Sequence, residues 1–161
     1  MKKIFFIIAV FSVVFNANSC KSDEYEEWKI MNENWYSRQE AVYLNDSSYQ
    51  KSSSGLIYKV LEPGYQRQPN DNSIVMVKYK ATFIDGTAFR ISGAVAITGD
   101  SVWFSQNTST TGWREALKLI KDGGHIRFFM PYQIGYGKDG YSTIPPYSTL
   151  FFDVKLYQSL N

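Results

Sequence analysis

The stretch VKYKATFIDGTAF, residues 77–89, decides how the chain is read. From Ile74 to Ile84 the side chains alternate, with Val75, Val77, Tyr79, Ala81 and Phe83 on one side and Met76, Lys78, Lys80 and Thr82 on the other. That is the period of a strand with one buried face. Asp85-Gly86 follows, a pair suited to a tight hairpin because glycine reaches positive φ without steric cost, and Thr87 to Arg90 is expected as the return strand.

Working outward, Leu56 to Leu61 reads as a short strand closed by Glu62-Pro63-Gly64, and Gln66 to Ser73 as a polar loop. Between Ile91 and Thr111, Gly93, Gly99 and a run of Ser, Thr and Asn leave only short apolar pieces. Trp113 to Lys121 reads as a short helix with Trp113, Ala116, Leu117 and Ile120 on one face, stopped by Gly123 and Gly124. His125 to Met130 is the next strand, Pro131 to Pro146 a long loop, and Thr149 to Tyr157 the last strand. The expected class is α+β, an antiparallel sheet of about five strands with one short helix packed on a face.

The N-terminus reads as an address. Lys2 and Lys3 precede an apolar run from Ile4 to Phe15, then Asn16 to Ser19 and the single cysteine, Cys20. This is the order of a signal peptide, here residues 1–19, and the run falls short of the roughly 20 apolar residues a spanning helix takes. Cys20 resembles the lipidation site of bacterial lipoproteins, with Ser19 as the small residue before it and Ala17 where Leu is commonest. A free or buried thiol is the alternative. The acidic residues after it resemble surface-export tags and equally suit the start of a helix. From Asp23 to about Asn45 there is no Pro or Gly, and Trp28, Met31, Trp35 and Val42 suggest one apolar helical face. Residues 20–54 are therefore expected to be a lipidated helical extension whose stretch Asn45 to Ser54 is a linker, and residues 55–161 the domain.

Composition narrows the function. Hydrophobic residues are 44% and charged residues 20% of the 161, enough for a real core, and the aromatic share of 17% points to a core or pocket built from rings. Without Lys2 and Lys3 the remaining Lys and Arg equal the 15 Asp and Glu, so no net charge steers the chain to nucleic acid. One Cys and one His argue against a disulfide framework, a Cys/His metal centre or a cofactor held by such ligands. His125 opens a strand, a poor setting for a catalytic triad. Gly135 to Gly140 lacks the Lys-Ser/Thr ending and the following helix of a phosphate cradle, and no carboxylate pair stands out.

What remains is an ordered set of signatures: SGLIYKVLEPG from Ser54, VKYKATFIDGTAF, GWREALKLIKDGG from Gly112, and IGYGKDGYSTIPPYSTLFFDVKL from Ile134. Together they closely resemble the FKBP-type peptidyl-prolyl isomerases from about Gly55 to Leu160. The resemblance implies a strongly curved sheet wrapped around the short helix, and an aromatic pocket between them. Its walls would be Tyr79 and Phe89, its floor Trp113, with Tyr136 and Ile144 from the long loop and Phe152 from the last strand. The Thr110 backbone N–H and the Tyr136 hydroxyl would bind substrate carbonyls. Proline-containing polypeptides of the cell envelope are the implied clients, a tacrolimus-like macrolide an implied ligand, and no cofactor is called for.

Two departures bear on turnover. Arg90 stands where the family has an Asp facing the reacting carbonyl, and Ser109-Thr110 replace an apolar pair before the helix. They predict weak or substrate-selective isomerase activity, or alternatively a catalytically impaired binding or chaperone module anchored to the outer membrane.

Overall fold

A computed structural model describes residues 25–89, 95–96 and 101–161; Cys20, the signal segment and Arg90 lie outside the described residues. The elements run α1 (Glu26–Tyr43), β1 (Gln50–Lys51), β2 (Ile57–Glu62), β3 (Ile74–Thr82), β4 (Val95–Ala96), β5 (Ser101–Ser105), α2 (Thr111–Leu117), β6 (His125–Met130) and β7 (Leu150–Leu160), with 3-10 turns at Gln106–Thr108 and Tyr132–Ile134. One antiparallel sheet has the order β1-β2-β6-β7-β3-β5-β4. Of its five strands of five or more residues, β2, β3, β6 and β7 are those the sequence suggested, while β5 falls in the stretch after Ile91 where only short apolar pieces were legible; two strands of two residues each flank them.

Alternation sorts the sheet into two faces. Val75, Val77, Ala81, Ile126, Phe128, Phe152, Val154 and Leu156 point inward with Trp113, Ala116 and Leu117 of α2, and all are buried. Burial of this apolar surface, at about 25 cal/mol per Å², is what drives the sheet to curl around the helix. The neighbours Phe129 and Phe151 point to the other face, 5.0 Å apart, and there α1 covers them: Trp35 lies 5.4 Å and Tyr43 4.7 Å from Phe129, ring centre to ring centre.

The extension thus packs against the domain as a second layer, and several expectations are corrected. Trp28 and Trp35 of the suggested stripe do face the sheet, whereas Met31 is 51% and Val42 62% exposed, and Asn32, Tyr36 and Tyr43 complete the docking face. At 3.6 residues per turn the docking face is rotated by roughly a sixth of a turn from the stripe the sequence suggested. Aromatic edges and a buried amide, rather than aliphatic residues, make the seam. The stretch after α1 is not a free linker: β1 pairs Gln50 with Tyr58 and Lys51 with Ile57, and the Tyr36 hydroxyl donates to the Gly55 carbonyl.

The Phe83–Gly86 turn forms, with Gly86 at φ +84° and the Thr87 N–H donating to Asp85 Oδ1 at 2.8 Å. Among the described residues the return strand reduces to a single bridge, Thr82 to Ala88, and Phe89 N–H to Ala81 O at 3.1 Å. Helix α2 begins two residues before Trp113 and ends at Leu117, not Lys121. Tertiary hydrogen bonds take the chain over there: Lys121 N–H donates to Pro63 O and Gly123 N–H to Leu156 O. Gly124 makes this closure possible, since a Cβ there would lie 2.7 Å from Lys121 O. The last strand continues three residues beyond Tyr157, to Leu160.

Candidate functional site

The indole of Trp113 is the hub. Helix α2 presents it toward the concave face because Gly112, just before it, lets the helix start press onto β6; a Cβ there would lie 2.7 Å from Met130 Cγ and Sδ. Trp113 is 3% exposed and meets Phe104 at 5.3 Å, Phe152 at 5.4 Å, Tyr79 at 6.1 Å and Phe128 at 6.1 Å, mostly edge to face. That is the arrangement aromatic quadrupoles favour. Phe152 stacks on Phe128 at 4.9 Å and takes Phe89 edge-on at 5.8 Å. Tyr79, Phe89, Trp113 and Phe152 therefore stand together.

Tyr136 and Ile144 come from the loop between β6 and β7. Tyr136 packs against the core and stacks on Tyr141 at 5.8 Å. Burial, with the neighbouring Tyr79 and Tyr141 phenols, pushes its hydroxyl up to about 12, so it stays a neutral donor near pH 7. Ile144 is 4% exposed and pairs with Tyr141 through two 2.9 Å backbone bonds. Gly140, at φ +68°, closes that turn where a Cβ would lie 2.3 Å from Ile144 O.

Thr110 caps α2 in an extended conformation, its carbonyl accepting the Arg114 N–H at 3.1 Å. Its own N–H makes no hydrogen bond among the described residues, leaving it available to an incoming carbonyl. The hydroxyls of the polar pair before the helix are engaged within the protein, Ser109 with Ser105 O at 2.8 Å and Thr110 with Met130 Sδ at 3.4 Å. The pair is thus less polar toward the site than its composition suggests.

Phe104 and Phe128 were missed as site residues. Phe128 lay in a legible alternation, Ile126-Phe128-Met130; Phe104 sits in the stretch that Gly93 and Gly99 interrupt, and only its pairing with Val75 places it inward. Arg90 and Cys20 fall outside the described residues. Among the described residues no group of three or more His, Cys, Asp or Glu could hold a metal ion. His125 belongs instead to the outer face, bonded through Nε2 to Asp153 Oδ1 at 2.5 Å.

Comparison with known proteins gives the family and the fold. Residues 65–157, more than half of the chain, match the family of FKBP-type peptidyl-prolyl cis-trans isomerases, and the chain belongs to that family. It is 41% identical over 114 residues to the FKBP-type peptidyl-prolyl cis-trans isomerase FkpA of Escherichia coli K12, a match covering 71% of this chain and 41% of that protein. The crystal structure of Escherichia coli FkpA superposes with a TM-score of 0.76 at 35% identity, covering 86% of this chain and 63% of that one. A peptidyl-prolyl isomerase structure from Pseudomonas syringae, 23% identical, shares the fold with a TM-score of 0.70 over 85% of this chain and 96% of that one. The chain spans less than half the length of the curated relatives it matches, such as those of Escherichia coli and Aeromonas hydrophila.

Proposed function

We infer that the protein is a peptidyl-prolyl cis-trans isomerase acting on X-Pro bonds of exported polypeptides. The observation that carries this reading is the ring-walled site over Trp113, with Tyr79, Phe89 and Phe152 around it. Such a site needs no nucleophile, metal or proton relay. The barrier to rotation, about 18–20 kcal/mol, is the loss of amide resonance. A dry aromatic pocket favours the twisted amide, whose carbonyl is less polar than the planar one, over the planar ground state. The prolyl ring would rest on Trp113, and the Thr110 N–H and the neutral Tyr136 hydroxyl would hold flanking carbonyls. Tacrolimus-like macrolides are the expected inhibitors.

The second reading, a catalytically impaired binding or chaperone module of the same fold, rests on Arg90 and on Ser109-Thr110. A protease-coupled proline-peptide assay separates the two. Weak acceleration by the wild type that rises in Arg90→Asp supports the enzyme with a charge-reversed wall; no acceleration by either, with suppressed aggregation of an unfolded client, supports the module.

The envelope location follows from the N-terminal reading. Cys20 is proposed to carry a lipid that anchors the chain to the outer membrane. Mass spectrometry of the membrane fraction tests it, since an unmodified Cys20 there ends the proposal.

A further inference from the structure

Helix α1 reaches the site from behind. Four residues of its first two turns, Trp28, Lys29, Asn32 and Glu33, share one face, and each engages the loop that carries Tyr136 and Ile144 or the turn that leads into it. Trp28 Nε1 donates to Ser148 Oγ at 3.1 Å, and Ser148 Oγ donates to Pro145 O at 2.8 Å. Lys29 Nζ lies 5.5 Å over the ring of Tyr147, which the fold holds at φ +60°, a left-handed conformation costly for a tyrosine. Asn32, fully buried, accepts the Thr149 N–H at 2.7 Å and donates to Trp28 O at 2.8 Å. Glu33 accepts the Tyr132 hydroxyl at 3.2 Å. The Trp28 ring also meets Phe83 edge-on at 6.2 Å, and Phe83 lies 4.7 Å from Phe89. The first two turns of the helix therefore contact the neighbours of both walls, Phe83 beside Phe89 and Tyr147 to Thr149 beyond Ile144.

The geometry points to Asn32 and Trp28 as positioning residues for prolyl isomerisation: α1 is a brace that presets the Ile144–Thr149 loop and the Phe83–Phe89 wall. Neither residue touches substrate. The physical cause is that Thr149 is 2% exposed, and its N–H has Asn32 Oδ1 as its acceptor. Without that acceptor the loop relaxes toward water or toward other backbone partners, and Ile144 moves with it. The sites need this accuracy because small misplacements of a positioned group cost rate.

This inference rests on the isomerase reading, and the experiment keeps the two apart. In the full chain, Asn32→Leu and the milder Trp28→Phe, which keeps the ring and loses the N–H, are compared with Met31→Ala, an exposed position on the same helix. Isomerase kcat/KM is measured well below each melting point, and amide hydrogen exchange residue by residue. The expected result is a fall in kcat/KM of about tenfold for Asn32→Leu and roughly threefold for Trp28→Phe. Exchange should quicken at Ile144, Tyr147 and Thr149, with β3–β5 amides and Met31→Ala unchanged. Unchanged kcat/KM in folded Asn32→Leu, or exchange quickened uniformly across the sheet, overturns the brace. A wild type that does not isomerise sinks the proposed function instead, and exchange at the loop then decides the brace alone.

Discussion

Gly112→Ala tests how the site is built. The added Cβ would lie 2.7 Å from Met130 Cγ and Sδ and 3.0 Å from Ile134 Cδ1. Met130 is 1% exposed and hemmed in, so the methyl cannot be absorbed by swinging its side chain into solvent. Overpacking of this kind costs roughly 1–3 kcal/mol. Replacing a helical glycine by alanine returns roughly 0.5–1 kcal/mol. The net expectation is a loss of about 1–2 kcal/mol, or roughly 2–8 °C in Tm for a chain of this size. Activity should fall further than stability, by about tenfold in kcat/KM, because the strain is relieved by lifting α2 from β6, and that moves Trp113 and the Thr110 N–H together. Urea unfolding and the proline-peptide assay are the readouts, with Met130→Val as the relieving partner. In the double variant part of the activity should return, and the two stability changes should fail to add. A Gly112→Ala protein of unchanged or raised stability, or strict additivity with Met130→Val, refutes the close-packing argument.

Three further outcomes follow from the same geometry. Phe152→Ala removes a ring that is 1% exposed between Phe128, Trp113 and Phe89, so unfolding should be easier by about 3–5 kcal/mol and isomerisation lost, read by denaturation and assay. Burial pushes the Asp153 carboxyl up, but hydrogen bonds from His125 and Arg127, with their charges, outweigh it and hold it below the ordinary range. Its contribution is thus present above the unfolded value near 4 and lost as pH falls through the folded one; Asp153→Asn should flatten the acid limb of a stability-pH curve. Burial raises the Tyr36 and Tyr136 hydroxyls to about 12, so stability from both should be intact below pH 10 and decline between about 10 and 12, less steeply in Tyr36→Phe.

Much of this could be read in the chain and some could not, for reasons that attach to particular residues. Alternation located β3 and β7, and short apolar runs bounded by turn residues located β2 and β6, because these signals are local and survive any tertiary arrangement. The same reasoning placed the α1 face only in part. Trp28 and Trp35 of the expected stripe do dock, but Met31 and Val42 are exposed and Asn32, Tyr36 and Tyr43 take their place, and nothing in a single sequence marks an asparagine as the one whose acceptor a buried Thr149 N–H requires. The return segment after Gly86 looked like a strand because its composition allows one, while among the described residues the sheet offers it the bridge at Ala88 alone.

For the site, the sequence by itself determined which residues have the chemistry: Tyr79, Phe89, Trp113, Tyr136, Ile144 and Phe152 are apolar or aromatic in their own right, and their order along the chain marks the family. Tertiary structure alone decided how they meet. Ring contacts between residues as distant as Tyr79, Trp113 and Phe152 depend on the curvature of the sheet, and curvature is set by packing across the whole core rather than by any local run. It alone also decided that an extension outside the family's signature lies against the loop that carries Tyr136 and Ile144, because Trp28 and Ser148, 120 residues apart in sequence, are hydrogen-bonded only once both layers have formed.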